Sequence, residues 1–260
     1  MNTHDQQTLL LMIRIHYSIL LLIVLGCSTP EEQTDIPNDT SSEVIVEVNS
    51  IMPDKVLNVG FLIVNGVYNS ELVAPMDILH HTVFHTDKGM KVFTIAPSLD
   101  PITSFEGLRM LPDYSYQQDS LPHIDVLIVP SAEHSMDTDL EDKALINFVR
   151  TAGGDAEYVM SLCDGAFVLA KAGLLEGLES TTFPSDIPRY REAYPDLTVH
   201  EGVSFVHDGK AITSAGGAKS YDPALYLSEI LYGKKAAEGI ARGLVIDWKL
   251  QEIDYLAVDQ

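Results

Sequence analysis

Beyond residue 55 the chain alternates two kinds of apolar pattern. Residues 56–64 (VLNVGFLIV) form a short, nearly continuous apolar run that stops at Asn65-Gly66, as a strand buried on both faces should. Over residues 70–85 the apolar positions Leu72, Val73, Met76, Leu79 and Val83 recur at helical spacing, with Ser70 placed as N-cap. Residues 91–96 read as the next strand, followed by strand 125–130, helix 140–151, strand 158–162 and helix 164–175. Strand 211–214 and the helices 221–233 and 235 to about 250 complete the set. Strands alternating with helices predict an α/β fold: one domain over residues 56–260, built as a three-layer sandwich with a mainly parallel sheet between helices. Ligand sites then belong at the carboxyl ends of the strands. No second apolar core and no repeat is visible.

The first fifty residues follow a different pattern. Arg14 and His16 precede an apolar run over residues 17–25, and Gly26-Cys27 follows it, which is the order of an export signal. The run is too short to span a bilayer, which takes about 20 apolar residues. Val24-Leu25-Gly26-Cys27 resembles a bacterial lipobox, in which the cysteine becomes the lipidated first residue of the mature chain. Met12 offers an alternative start that gives a compact signal. Ser28 after the cysteine implies the outer membrane under the sorting rule of that class. The expectation is therefore a signal over residues 1–26 and a bacterial envelope protein that meets the membrane through a lipid on Cys27 alone. An ordinary cleaved signal and a buried strand are the alternatives. Residues 28–55 are rich in Ser, Thr, Pro, Asn and acids, so 27–55 reads as a flexible acidic tether.

Charge and cysteine count narrow the function. The formal net charge is −22, and loss of residues 1–26 removes Asp5 and Arg14, which cancel. Such a surface repels nucleic acid. There are two cysteines. If Cys27 carries lipid, Cys163 has no intramolecular disulfide partner, and is either a buried small hydrophobe or a reactive group.

Its surroundings fit both a reactive thiol and a buried structural cysteine at a strand end. In YVMSLCDGAFVLAKAGLL, residues 158–175, an apolar strand runs directly into Cys163 and then into a Gly- and Ala-rich helix. This is the layout of a nucleophile elbow, where Gly165 and Ala166 let the helix pack close behind the turn. A helix N-terminus favours thiolate over thiol, so Cys163 is expected to be more acidic than a free thiol near about 8.5. Asp164 opposes this: it either caps the helix or hinders thiolate formation, and on that reading Asp164→Asn makes the thiol more reactive.

CDGAFVLAKAGLLEGLESTTFP, residues 163–184, is similar to the elbow region of the DJ-1 (ThiJ/PfpI) superfamily, where Cys-x-Gly-Ala, Ala-Gly-Leu-Leu and Thr-Thr recur. Glu71-Leu72-Val73-Ala74-Pro75 matches the acidic residue and following Gly-Pro of that family, and Ile212-Thr213-Ser214-Ala215-Gly216 with Asp222-Pro223-Ala224-Leu225 match its closing strand and helix. The resemblance implies a flavodoxin-like, class I glutamine amidotransferase-like fold and a homodimer, and it extends to relatives fused to AraC-type DNA-binding helices. It makes Cys163 the nucleophile and Glu71 its protonated carboxyl partner. A carboxyl held at a water-poor strand end near a second negative group has its pKa raised and can donate or shuttle a proton.

The departures from the family pattern matter as much. Phe183 stands where many members have His after Thr-Thr. Ser131-Ala132 replaces Gly-Gly, leaving the Ala132 N–H as oxyanion donor on a less permissive loop. His134, on the same loop, is a candidate for the missing base; the competing reading is an exposed loop histidine. His81 and His85 have i, i+4 spacing without a third ligand. No metal and no cofactor are expected.

Two functions remain. One is an enzyme in which Cys163 adds to a small electrophile such as an isocyanide or an α-oxoaldehyde, hydratase- or lyase-like, with Glu71 moving the proton. The other is a non-catalytic ligand-binding or redox-sensing module of the same fold. Fewer than about fifteen residues follow Trp248, too few for a helix-turn-helix pair. Protease chemistry lacks its histidine beside the cysteine, and amidotransferase chemistry lacks a His-x-Glu pair near Ser214 to Asp222.

Overall fold

A computed structural model describes residues 51–118 and 120–258. The signal, Cys27 and most of the expected tether lie outside the described residues. The chain forms strands β1 (Asn58–Leu62), β2 (Lys91–Ala96), β3 (Ile102–Thr103), β4 (Arg109–Met110), β5 (Tyr114–Ser115), β6 (Val126–Val129), β7 (Tyr158–Leu162), β8 (Glu179–Ser180), β9 (Thr198–Val199), β10 (Phe205–Asp208), β11 (Ala211–Ser214) and β12 (Tyr255–Ala257). The helices are α1 (Asn69–His81), α2 (Lys143–Asp155), α3 (Gly165–Lys171), α4 (Ile187–Ala193), α5 (Tyr221–Tyr232) and α6 (Lys234–Gly243).

Eight strands make one sheet in the order β12-β10-β11-β7-β6-β1-β2-β5. Every neighbouring pair in it is parallel except β10 with β11. Successive strand residues point to opposite faces, and the core divides accordingly. Val126, Ile128, Met160 and Leu162 join the layer under α1, α5 and α6, whereas Leu127, Val129 and Val159 join that under α2, α3 and α4. This is the mainly parallel, helix-flanked sheet that the alternation predicts.

Element ends differ from the sequence reading where a tertiary partner takes over. Ser70 does not cap α1. The N-cap is Tyr68, without a side-chain bond, and the Asn69 N–H donates instead to Glu106 at 3.1 Å. Helix α2 begins three residues after Leu140, because the Asp142 carboxylate accepts from the N–H groups of Ala144 and Leu145. The last helix stops at Gly243 rather than near residue 250, and residues 244–254 lead to β12 instead. Strands β10 and β12 and helix α4 were not read from the sequence.

Residues 51–55, assigned to the tether from composition, are engaged. The Ile51 and Met52 N–H groups donate to Ile230 and Leu231 carbonyls, and Lys55 Nζ lies 2.6 Å from Asp125.

Candidate active site

Strand β7 delivers Cys163 to the carboxyl end of the sheet in the conformation of an elbow. Its φ is +54°, a left-handed backbone that costs an L-residue about 1 to 2 kcal/mol. Tight packing enforces it. A Cβ on Gly165 would sit 2.0 Å from the Val129 carbonyl oxygen, and one on Gly216, itself at φ +73°, would sit 2.3 Å from the Cβ of Cys163. Both glycines are therefore required by close approach, as the small residues after Cys163 suggested for Gly165. The Cys163 N–H donates to Ser214 at 3.0 Å, tying the elbow to β11.

Two carboxyls flank the sulfur. Glu71, in the first turn of α1, is 4 % exposed. Its Oε2 accepts from the Ser131 N–H at 3.0 Å and the Ser131 hydroxyl at 2.7 Å, and its Oε1 takes a longer contact of 3.3 Å from the Gly217 N–H. Burial raises the Glu71 pKa, against the pull of the Ser131 donors and the Cys163 thiol. Oε1 is thus the less tightly bonded of the two oxygens. Asp164 places Oδ2 3.6 Å from the Cys163 sulfur and accepts from the Thr182 hydroxyl on Oδ1 at 3.0 Å. The same hydroxyl reaches the Cys163 carbonyl at 3.1 Å.

The thiol is not acidic. Burial, then the neighbouring carboxyls of Glu71 and Asp164, push the Cys163 pKa far up. This reverses the sequence expectation of a thiol more acidic than usual. Helix α3 is only seven residues long, and its terminus is outweighed by desolvation of the charged form. Tyr68 is also affected: burial, and then the nearby Cys163, push its hydroxyl up. Its ring packs on Phe105 at 4.8 Å between centroids, making an aromatic wall beside the site.

Cys163, Glu71 and Asp164 thus come together, and the other two candidates do not join them. The Ala132 N–H donates to the Ser135 hydroxyl at 2.8 Å, so as the chain stands it is engaged rather than free for an oxyanion. His134 is exposed and its Nδ1 lies 3.1 Å from Asp137, so it is engaged by a neighbouring surface carboxylate and does not stand as the missing base. His81 likewise pairs with Asp77 on its own helix. Ser131 and Thr182 were noted only as a departure and as part of a Thr-Thr pair, and their bonding to Glu71 and Asp164 had no sequence signal beyond that. Tyr68 had none.

Residues 57–229 match the DJ-1/PfpI family. The chain belongs to that family. Among the relatives, the isonitrile hydratase of Pseudomonas putida is 31% identical over 183 residues, which cover 70% of this chain and 75% of the relative. Protein dj-1beta of Drosophila melanogaster is 26% identical over 183 residues, covering 70% and 92%. The crystal structure of a ThiJ/PfpI family protein from Pseudomonas syringae superposes with a TM-score of 0.64 at 25% identity, covering 85% of this chain and 84% of that one. In this DJ-1/PfpI chain Cys163 lies in the turn directly after β7, and Glu71 lies in the first turn of α1.

Proposed function

We propose that this DJ-1/PfpI protein is a cysteine-dependent hydratase acting on a small electrophile, an isonitrile first among the candidates. The observation that carries the reading is the Cys163 sulfur held at a strand end between the buried carboxyls of Glu71 and Asp164. The isonitrile hydratase relative supports the substrate class. Sulfur adds to the terminal carbon of the isonitrile, so the S–H bond breaks and C–S and C–H bonds form, giving a thioimidate. Water then adds to the same carbon, the C–S bond breaks, the thiol recovers a proton, and a substituted formamide leaves. No oxidant or reductant is needed. Glu71, protonated on Oε1, donates to the sulfur as negative charge develops there, which stabilises the attacking state more than the resting thiol.

The test is conversion of a panel of isonitriles and α-oxoaldehydes by the purified protein, with formamide or hydroxyacid product followed by NMR. Formamide formation that disappears in Cys163→Ala supports the reading; turnover of α-oxoaldehydes alone, or of neither class, overturns it. The second reading is a ligand-binding or redox-sensing module. It is favoured by the same burial that leaves Cys163 only 6 % exposed with its pKa raised, since a buried thiol reacts slowly.

We further propose that the chain is anchored in the bacterial envelope through lipid on Cys27 and that the domain pairs as a homodimer. Recovery of Cys27→Ala in the membrane fraction, unchanged, would sink the anchor. Light scattering that gives a monomer at micromolar concentration would sink the dimer.

A further inference from the structure

Asp164 occupies the N-cap position of α3 and does not cap it. An acid at that position ordinarily accepts from the N–H groups of the first turn; Asp164 makes no such bond. It is 8 % exposed, and its Oδ1 accepts from the Thr182 hydroxyl and its Oδ2 from the Cys163 thiol. A carboxyl that forgoes helix capping to lie buried against a nucleophile is poorly explained by stability, because burying a charge without a cation is costly. The two carboxyls around the sulfur are also held differently. Glu71 is fixed by three donors from Ser131 and Gly217, whereas Asp164 has one hydroxyl donor and turns its other oxygen to the sulfur.

We propose that Asp164 is the proton carrier of the reaction: Oδ2 accepts the proton from the Cys163 sulfur as the C–S bond forms and delivers it to the substrate carbon. This rests on the addition chemistry proposed above. The proton that leaves sulfur is the one that makes the new C–H bond, and Asp164 begins and ends the step ionised. The site then runs on two carboxyls of divided role, Glu71 donating to sulfur and Asp164 exchanging the proton, with no need for the histidine that Phe183 replaces. Thr182 is a positioning residue that holds Oδ1 and leaves Oδ2 toward the thiol.

The charged and titratable groups that face Asp164 are Cys163, Glu71 on α1, Asp186 in the turn before α4, and Tyr68. Burial, then Asp186, raise the Asp164 pKa to about 6, while the bonds from Thr182 and Cys163 lower it. The group is thus mostly ionised at neutral pH, and its conjugate acid is strong enough to return the proton.

Alkylation of Cys163 by iodoacetamide tests this without any substrate. The wild-type rate is expected to climb through pH about 6 as Asp164 ionises. Asp164→Asn should lose that limb and react about a hundredfold more slowly at neutral pH, the low end of general-base assistance. Simple charge repulsion predicts the reverse, so an Asp164→Asn protein that alkylates as fast as wild type or faster overturns the proposal. Thr182→Val guards against misfolding: losing the hydroxyl bond should move the limb to higher pH, and a limb that stays in place overturns the proposal too. Isonitrile hydration is measured separately. If hydration is absent while the alkylation limb behaves as expected, the substrate reading fails and Asp164 stands as acceptor of the thiol proton. If hydration is present and survives Asp164→Asn with its pH profile intact, the carrier role fails.

Discussion

The two ends of the central sheet treat buried acids in opposite ways. At the amino end, Asp125 is 1 % exposed; it receives Lys55 Nζ at 2.6 Å and the Asn58 N–H at 2.7 Å, with His123 Nε2 at 3.3 Å. Lys55 bridges onward to Glu157 at 2.8 Å. At the carboxyl end, Glu71 and Asp164 are nearly as buried, yet among the described residues their partners are hydroxyls, backbone N–H groups and a thiol, and no cation pairs with them. Glu71, Cys163, Asp164 and Tyr68 all have raised pKa values there. Where an acid only fastens the chain, the fold supplies a counter-charge. Where acids adjoin the thiol, the fold withholds one, and their pKa values rise, that of Asp164 to about 6.

Breaking the amino end should have the largest effect on stability. Asp125→Ala leaves the Asn58 N–H without its buried acceptor and removes the anchor of Lys55, at a cost of about 3 kcal/mol in chemical denaturation. Cys163 alkylation, remote from this end, should keep its rate and pH profile. A change in that profile would mean the two ends are coupled and would break the contrast.

The next effect is a pH dependence at the carboxyl end. Because the folded pKa of Asp164 is about 6, above the roughly 3.9 of a free Asp, the folded state holds more protons in that interval and stability falls as pH rises through it. The change is at most about 2 to 3 kcal/mol. Glu71, also raised, acts in the same direction. Asp164→Asn should flatten part of this slope, measured by unfolding between pH 4 and pH 7. A slope of the opposite sign would show that the carboxyl-end acids are stabilised as anions, like ordinary paired acids.

Smaller again is the effect of Glu71→Gln on stability. The amide keeps an acceptor for Ser131, and a buried ionisable group is gone, so the stability at pH 7 should change by no more than about 1 kcal/mol in either direction. Alkylation kinetics should nevertheless shift. A loss as large as that of Asp125→Ala would make Glu71 a structural acid and erase the distinction between the ends. The smallest effect belongs to His123→Gln, an exposed partner of Asp125, which should move the thermal midpoint by about a degree or less.

The sequence by itself determined the βαβ alternation, the turn at Cys163, the need for a small residue at Gly165, and the pairing of Cys163 with Glu71 through a family resemblance. Strand Tyr158–Leu162 and strand Lys91–Ala96 were legible to the residue. Apolar periodicity and turn chemistry are local, so they survive in one dimension. Strands β10 (FVHD) and β12 (YLA) are short and carry polar or half-exposed positions; β10 folds back on the adjacent β11, whereas β12 exists because it finds β10 far along the chain.

Only the tertiary structure decided the chemistry of the site. It sent His134 to Asp137, gave the Ala132 N–H to Ser135, and brought Thr182 onto Asp164 across eighteen positions of sequence. Most of all it decided the sign of the Cys163 shift. A motif states which groups are neighbours, but a pKa depends on how much water and which charges the finished fold leaves around them. Here the fold buries the thiol between two acids, and that burial outweighs the helix terminus from which the sequence argued.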